Sequence, residues 1–537
     1  MKEELKTKEV LAMYDVRGIQ NYIFSTNRIR DIIGASKLVE NIITEGISKA
    51  IKANGWDNAG YLTDWEHDEP DAFITDETVK MQVLFIGGGN AYVLFREGAV
   101  CEKVNRFLTK YVLEKTYSLN LAVSVVEKTD SYRADYAAIN KKMIEIKAVM
   151  PKTKPMGAFP FMAIDTATGY PLAQYDISAK EYISTEAYLK RQRLNDAKEN
   201  EKEDAERILD NMVTEKGDNS TLAVVHIDGN SVGGRIKEIM QDKENYGDAV
   251  RAMRKISLCL KNEFENCFEV MCNCVDAISK KVKPDSKGKL YRKIIVAGDD
   301  ITFICNAKVA IYAAKVFLEQ VTTKLMYENP KLSKEENQKH YAMSACAGIA
   351  FFNSHFPFSD AYEVAEACCA NAKKVAKLTE NRDAGKADGM TGCYLDYQIC
   401  NHVKATDLAA YRQKQYQMPG GKMMIHRPYY VSSLKDGNKK IYFDGIFDLD
   451  ERNQTKDLAS VLLENLKVFQ CADAGNGKYK KLRNVYSFGM QEVENEETFL
   501  SSRHIALPKT AQETWYDALE IMEICEWEEE KNNVTEN

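Results

Sequence analysis

The sequence lacks any apolar run long enough to cross a membrane, which would take about 18 residues. Its N-terminal segment, MKEELKTKEV, also lacks the apolar core of a secretory signal. The thirteen cysteines are scattered, and none forms a C-x-x-C pair of the kind that binds zinc. We therefore expect a protein of the reducing cytoplasm, with no membrane partner and no zinc.

Glycine and proline are also sparse, at 29 and 11 of 537 residues, which excludes collagen-like and low-complexity classes. There is no excess of positive charge, because 73 Lys and Arg residues face 80 Asp and Glu residues, a net charge of −7. The chain as a whole is therefore not a general nucleic-acid binder, and any contact with nucleic acid must be local.

The sequence does contain an internal repeat of strands and helices. The first half has predicted strands at 10–14, 81–86, 91–95 and 121–126, and the second half at 221–227, 293–297, 301–305 and 343–352. In each half a helix follows the first strand, a turn that contains glycine joins the next two, and helices flank the fourth. This is the order of a ferredoxin-like fold, in which we expect the helices to cover one face of an antiparallel sheet.

The two halves align residue by residue. Ala12-x-x-Asp15-Val16-Arg17-Gly18 matches Ala223-x-x-His226-Ile227-Asp228-Gly229, and the turn Gly89-Asn90 matches Asp299-Asp300. Arg17 and Gly89 are 72 residues apart, and Asp228 and Asp299 are 71 apart. Near-equal spacing in both halves supports a true repeat.

We predict an α+β fold of two ferredoxin-like domains, 1–150 and 221–385, arranged pseudo-symmetrically. A segment without zinc ligands, 151–220, joins them, and a mainly helical domain, 386–537, follows. The charged stretch 191–212 is expected to be a solvated helix or loop.

Asp228, Asp299 and Asp300 are the candidate catalytic residues. Asp228 ends a strand, and the other two lie at the tip of a hairpin that should pair beside it. Carboxylates on neighbouring strand ends form a site for two Mg²⁺ or Mn²⁺ ions. Gly298 allows the tight turn and leaves room for a triphosphate. The alternative is that Gly-Asp-Asp is only a polar hairpin tip.

Lys373 and Lys377 share a face of the helix after the last strand, where two ammonium groups could hold a triphosphate. Lys141 and Lys142 occupy the corresponding place in the first half. The alternative is a solvated lysine face. The basic run 279–293 is interpreted either as a rim for phosphates or nucleic acid, or as a solubilising loop.

The first half carries no carboxylate at the matching metal positions. Its Gly-rich turn, with Gly88 and Gly89, offers backbone N–H groups to a phosphate, and Arg17 could reach one. Ser36 could face a base or a phosphate, or could be a small residue required by helix packing.

The segments DVRGIQNYIF, IIGASKLV, GGGN, HIDGN and AGDD, with the Ala-Lys-Lys helix, resemble the large catalytic subunit of type III CRISPR effector complexes. That family has two palm domains and a helical C-terminal domain, and its second palm makes cyclic oligoadenylates from ATP. The resemblance covers 1–150 and 221–385 and is weaker over 386–537. A more distant similarity is to GGDEF-type nucleotidyl cyclases.

The chain departs from this family in three ways. The palm opening begins within the first fifteen residues, so we expect no HD nuclease domain. The family's zinc insert is represented by FMAIDTATGYPLAQYD (161–176), which has no cysteine, and Ala297 replaces the first Gly of the hairpin.

We therefore expect a cytoplasmic nucleotidyltransferase that converts nucleoside triphosphates, ATP favoured, into cyclic or short 3′–5′ oligonucleotides for antiphage defence. One alternative is a non-catalytic scaffold that binds RNA or a nucleotide within a CRISPR-type complex, and another is a diguanylate-type cyclase. ATP versus GTP, the ring size, the activating signal and assembly with subunits, RNA or a second copy stay open at this point.

Overall fold

A computed structural model of the chain describes residues 3–56, 60–87, 89–150, 157–195, 212–213, 220–243, 245–282, 289–382, 392–400, 407–431, 458–471, 476–509 and 512–525. Contacts between residues divide the chain into two compact units. The first consists of Met1–Ile208, Ser231–Asn262 and Ile294–Asp300, and the second of Leu209–Asn230, Glu263–Lys293 and Ile301–Asn537. The predicted domain boundaries at residues 150, 220 and 385 stay a prediction.

The first unit contains a five-stranded sheet with the order β2-β3-β4-β1-β5. Its strands are β1 (Val10–Arg17), β2 (Tyr61–Leu62), β3 (Met81–Gly87), β4 (Asn90–Phe95) and β5 (Asn120–Glu127). β1 runs antiparallel to both neighbours, with Asp15 opposite Asn90 and Arg17 opposite Asn120. The order β3-β4-β1-β5 is the ferredoxin-like order predicted from the sequence.

The helices of this unit follow the chain around the sheet. They are α1 (Ile19–Ile23), α2 (Ile29–Ala53), α3 (Ala72–Thr75), α4 (Gly98–Thr116), α5 (Tyr132–Val149), α6 (Thr185–Asn195), α7 (Val232–Gln241) and the first part of α8 (Tyr246–Val282). A small sheet of β6 (Leu172–Asp176) and β7 (Glu181–Ser184) precedes α6. A Cβ at Gly34 would overlap the carbonyl oxygen of Lys190, so glycine allows α2 and α6 to pack closely.

Buried ion pairs hold α6 in place. Lys190 Nζ lies 2.7 Å from Glu186 Oε1, and Arg191 Nε lies 2.7 Å from Asp31 Oδ1. Arg191 also bonds Asp176 Oδ2 at 2.6 Å. The prediction of a solvated stretch from residue 191 is wrong at its start, because Arg191 is buried among carboxylates; residues 196–211 lie outside the described part of the chain.

The second sheet has six strands in the order β13-β12-β11-β8-β10-β9. They are β8 (Thr221–Gly229), β9 (Tyr291–Ala297), β10 (Asp300–Asn306), β11 (Ala345–Asn353), β12 (Cys393–Ile399) and β13 (Tyr429–Val431). The order β11-β8-β10-β9 repeats β5-β1-β4-β3, which confirms the internal repeat. Successive residues of β8 and β11 are buried on both faces rather than one, because nearly every position in these strands is apolar or small.

Two of these strands lie within the segment predicted as the C-terminal domain. β12 pairs parallel to β11, and β13 pairs antiparallel to β12. The sequence of β12 does not indicate a buried strand, because it includes the polar residues Asp396 and Gln398. Both are buried because Arg412 donates to Asp396 (2.8 Å) and to Gln398 (3.1 Å).

The remaining elements are helices, and those after residue 385 lie in the segment that was predicted to be mainly helical. They are α9 (Ala310–Val321), α10 (Lys334–Tyr341), α11 (Phe358–Arg382), α12 (Leu408–Tyr416), α13 (Leu458–Cys471), α14 (Asn476–Val485), α15 (Met490–Ser502) and α16 (Trp515–Ile521). Within the described ranges, no helix is both long enough and apolar enough to cross a membrane.

Candidate active site

Asp228 lies at the end of β8, opposite Cys346 of β11. Its carboxylate is paired with Lys373 of α11, whose Nζ lies 2.5 Å from Asp228 Oδ2. The same ammonium donates to the carbonyl oxygen of Gly229 at 2.8 Å. Asp228 keeps 38% of its side-chain surface exposed and Lys373 keeps 23%. The strand end therefore presents an accessible carboxylate that is paired with the ammonium group of Lys373.

Close packing of α11 on β11 positions Lys373. A Cβ at Gly348 would overlap the carbonyl oxygen of Ala365, so only glycine lets the helix backbone lie this near the strand. One turn before Lys373, Cys369 Sγ donates to the carbonyl oxygen of Cys346 at 3.3 Å. Because Cys346 faces Asp228 across the sheet, these contacts fix the helix beside the strand end that carries the carboxylate.

His226, two residues before Asp228, is a buried polar residue whose role sequence reasoning missed. Its Nδ1 lies 3.1 Å from Oγ1 of Thr302 on β10, and its ring packs edge-on against Tyr362 of α11. Burial lowers the pKa of His226 to about 4, against the opposing effect of the Asp228 carboxylate. The imidazole is therefore neutral near pH 7 and links the two strands.

Glu366 is a second residue that the sequence analysis did not select. It lies on α11, two turns before Lys373, and is half-buried. Burial raises the pKa of Glu366, and the carboxylates of Glu363 and Asp228 raise it further. Its helical spacing from Lys373 was the available signal, but glutamate is common on helices and the signal was weak.

The predicted Gly-Asp-Asp hairpin is present. Gly298 adopts a left-handed conformation, with φ +66°, which glycine adopts without strain, and nothing lies near its Cβ position. Asp299 completes the turn and Asp300 begins β10, and both side chains are half-buried. The glycine is therefore required by the backbone of the turn rather than by lack of space.

The described residues contain no group of three or more His, Cys, Asp and Glu side chains placed to hold a metal ion. Asp228 belongs to the second unit, and Asp299 and Asp300 belong to the first. That these three carboxylates form one metal site accordingly stays a prediction.

The corresponding place in the first half carries a different set of side chains. Arg17 Nη1 donates to the carbonyl oxygen of Met150 at 3.4 Å, and Gly89 has φ +80°. The carbonyl oxygen of Gly89 accepts a hydrogen bond from the Val16 N–H at 2.9 Å. Asn90 Oδ1 is buried and has no hydrogen-bond partner among the described residues. Gly88 lies outside the described residues.

The first-half counterpart of Lys373 is Lys147, rather than the predicted Lys141 or Lys142. Asn120 faces Arg17 across the sheet, and Lys147 comes 27 residues after Asn120. In the same way, Cys346 faces Asp228, and Lys373 comes 27 residues after Cys346. Lys147 forms an ion pair with Asp15. Lys142 donates to the Val125 carbonyl oxygen and Lys141 is exposed.

Of the other predicted binding residues, Ser36 is hydrogen-bonded to the backbone and Lys377 is exposed on its helix. Ser36 donates its hydroxyl to the carbonyl oxygen of Ile294, which fits the packing alternative. Lys377 lies one turn after Lys373 on α11 and is exposed. Part of the basic run 279–293 lies outside the described residues. The nucleotide contacts of Ser36 and Lys377 stay predictions.

No protein-family model matches the chain. No curated protein matches it either. Among solved structures, it is similar to a Csm1–Csm4 cassette in complex with cA4, at 11% identity over 96% of this chain and 70% of that chain, with a TM-score of 0.47. The same cassette in complex with AMPPNP matches at 12% identity over 97% and 70%, with a TM-score of 0.46.

A third similar structure is the Csm1–Csm4 subcomplex of the type III-A CRISPR–Csm interference complex. It matches at 12% identity over 68% of this chain and 53% of that chain, with a TM-score of 0.38. These structures come from the class of effector subunits that the sequence motifs resemble.

Proposed function

We propose that the chain is a nucleotidyltransferase that joins nucleoside triphosphates through 3′–5′ linkages and releases pyrophosphate. The observation that supports this most is the order of the second sheet, in which β8 and β10 are neighbours. His226 of β8 contacts Thr302 of β10. His226 comes two residues before Asp228, and Thr302 comes two residues after Asp300. We assign Asp228, Asp299 and Asp300 to one catalytic site on this basis.

The side chains of this proposed site fit a hard divalent cation. All three donors are carboxylates, and Asp228 is accessible and already pairs with a cationic group. Oxygen donors of this kind suit Mg²⁺ or Mn²⁺. When bound, two such ions would lower the pKa of the attacking ribose hydroxyl and stabilise the leaving pyrophosphate.

Lys373 and Lys377 are proposed to hold the triphosphate of the donor nucleotide. The Lys373 side chain would exchange its ion pair with Asp228 for one with a phosphate oxygen. The lysine side chain is flexible enough for this movement. Lys377 is already exposed on the same helix, and Gly298 leaves the backbone of the turn open. Neither lysine needs to act as an acid or a base.

The first half is proposed to bind the acceptor nucleotide without catalytic metal, through Arg17 and the turn at Gly88 and Gly89. A guanidinium repels a metal ion and favours phosphate. The preference for ATP, the cyclic oligoadenylate product and a role in antiphage defence follow from the resemblance of the motifs and are part of the proposal.

A second candidate function is that of a non-catalytic nucleotide-binding scaffold that assembles with CRISPR-complex subunits or RNA. The observation in its favour is the ion pair between Lys373 and Asp228, which satisfies the carboxylate without any ligand. In this case Asp228 would have a structural role and the chain would bind nucleotide unchanged.

Incubation of the purified chain with each nucleoside triphosphate and Mg²⁺ or Mn²⁺, followed by mass spectrometry, separates the two candidates. The proposal predicts pyrophosphate and 3′–5′-linked products, with ATP the best substrate. Nucleotide that binds but is recovered intact under every condition would favour the scaffold.

A further inference from the structure

The segment 157–195 carries most of the large apolar side chains that the described structure leaves exposed. Eight of thirteen lie there, and we call them the insert patch: Phe159, Phe161, Met162, Ile164, Tyr175, Ile177, Tyr182 and Tyr188. Phe161 is 83% exposed and Ile177 82%. Scattered apolar side chains are normal on a protein surface, but a concentration in one short segment marks an interaction site.

The segments that carry the insert patch lie side by side. Tyr175 of β6 faces Tyr182 of β7, with ring centroids 5.0 Å apart. The rings of Phe159 and Phe161 stack at 5.6 Å. Ile164 bridges to Pro171, so the segment with the two phenylalanines runs alongside the start of β6. The aromatic pairs therefore belong to one continuous module.

The exposed apolar area of this segment is comparable to one side of a protein–protein interface. The exposed fractions of the eight side chains together equal between four and five whole side chains. At roughly 200 Å² for each large side chain, this is on the order of 900 Å². One partner of a standard protein–protein interface contributes about 800 Å², so the patch supplies the area that one side of such an interface needs.

The base of the patch is fixed before any partner arrives. Ile183 and Ala187 point inward and are fully buried. Arg191 ties α6 to Asp31 of α2 and to Asp176 at the end of β6. Association through a preformed surface loses less conformational entropy than association through a flexible one.

The charge of the segment argues for contact with a second copy of the chain. Residues 157–195 contain four acidic and four basic residues, whereas the whole chain has a net charge of −7. The cations of α6 are held by carboxylates, Lys190 by Glu186 and Arg193 by Glu45. Two copies can therefore meet here without like-charge repulsion, while a nucleic acid would find no excess of cations for its phosphates.

We propose that the insert patch is the surface through which two copies of the chain associate, each presenting the same patch to the other. This inference goes beyond the proposed activity and does not depend on it. Exposed aromatic side chains such as Tyr182 and Phe161 would be the main contributors to affinity, as aromatic residues are in other interfaces.

Sedimentation of the full chain from low to high micromolar concentration tests the proposal. The parent is expected to form dimers, and the double variant Phe161→Ser/Tyr182→Ser is expected to raise the dimer Kd by about tenfold or more. The matched control is Phe488→Ser, which removes a 70% exposed phenylalanine outside the insert and should leave the Kd unchanged. Melting temperatures check that all three chains fold.

Three results would overturn the inference. One is a parent that stays monomeric over the whole concentration range. Another is a dimer that Phe488→Ser weakens as much as the double variant does. The third is binding of a labelled single-stranded RNA by the monomeric parent that the double variant abolishes, which would identify the patch as a stacking surface for bases.

Discussion

At the scale of single residues, the proposed chemistry depends on a few carboxylates and two ammonium groups. Asp228 and Lys373 are in direct contact, and Asp299 and Asp300 follow a glycine that is needed for its left-handed backbone. Substitutions that change charge without changing size separate a chemical role for these residues from a structural one.

The first prediction concerns the hairpin carboxylates. Asp299→Asn with Asp300→Asn should abolish product formation, by at least about a hundredfold, since even the hydrogen-bond partners of metal ligands are typically worth 10–100-fold. The melting temperature should hold or rise slightly, because two neighbouring carboxylates repel each other in the absence of metal. Product yield by mass spectrometry and thermal melting are the measurements.

The control for this pair is Asp130→Asn, which neutralises an exposed carboxylate after β5. It should leave product yield unchanged. Activity of the double variant within about tenfold of the parent would remove the basis for the metal-site assignment. A large fall in melting temperature would instead indicate that the two aspartates stabilise the turn.

The second prediction concerns Lys373. Lys373→Ala should raise KM for the nucleoside triphosphate by about tenfold or more, since a charge-assisted hydrogen bond contributes about 1.5–3 kcal/mol. Lys374→Ala is the matched control, because Lys374 is the next residue and is exposed. Equal effects of the two variants on steady-state kinetics would show that Lys373 contributes only general positive charge.

At the scale of secondary-structure elements, the position of α11 on β11 decides where Lys373 lies. The helix can lie against Gly348 because glycine has no side chain. A Cβ at this position would overlap the Ala365 carbonyl oxygen. Any residue larger than glycine must displace the helix, and with it the ammonium group beside Asp228.

The third prediction follows from this contact. Gly348→Ala should lower the free energy of unfolding by about 1–3 kcal/mol, the usual cost of overpacking, and should also raise KM as Lys373→Ala does. Gly477→Ala is the control, since its Cβ meets nothing within 4 Å on the exposed start of α14. Chemical denaturation measures the free energy of unfolding of both variants, and steady-state kinetics measures their KM. A Gly348→Ala chain as stable as the parent would contradict the close packing.

Sequence reasoning predicted most of the repeat at this scale. The eight strands of the two ferredoxin-like halves were found because continuous apolar runs and Gly-rich turns are local signals. β12 and β13 were not found, because β12 pairs in parallel with β11 only after the long helix α11, and its run includes Asp396 and Gln398. A buried carboxylate that depends on a distant Arg412 has no local signature.

The candidate site was predicted less completely than the fold. The Gly-Asp-Asp turn is visible in the sequence because its glycine serves a local conformation. The partners of each side chain are not visible, since Lys373 reaches Asp228 over 145 residues and Ser36 reaches Ile294 over 258. For the same reason Lys147 was missed in favour of Lys141 and Lys142, because helix register relative to a strand depends on packing.

At the scale of the whole molecule, the two halves share a strand order but differ in the charges at their strand ends. Arg17 aligns with Asp228, and Asn90 with Asp300. The fourth prediction is that Asp228→Ala removes product formation but retains part of the nucleotide binding, whereas Arg17→Ala weakens nucleotide binding. Equilibrium titration with a non-hydrolysable nucleotide and product analysis separate the two effects.

Arg133→Ala is the control, because it removes an exposed arginine at the start of α5. It should change neither binding nor product formation. If Arg17→Ala behaves like this control while Asp228→Ala abolishes all binding, the first half takes no part in holding nucleotide.

The fifth prediction concerns the segment that joins the halves. It contains no cysteine at 161–176, and Arg191 and Lys190 form buried ion pairs beneath it. The purified chain should therefore contain well under one zinc ion per molecule by elemental analysis. Lys190→Met should lower the free energy of unfolding by about 3–5 kcal/mol, because the buried carboxylate of Glu186 would lose its cationic partner and keep only serine hydroxyls as donors. Stoichiometric zinc would contradict the first expectation.

The lysine that contacts a carboxylate at a strand end occurs in both halves of the repeat, as Lys147 with Asp15 and as Lys373 with Asp228. The carboxylates are not aligned with each other, because Asp15 corresponds to His226. A duplicated ancestor that already carried the lysine explains why it persists in the half that lost, or never had, the acidic turn. The lysine would then be older than either of its carboxylate partners, and each half would have acquired its own acidic residue beside an inherited ammonium group.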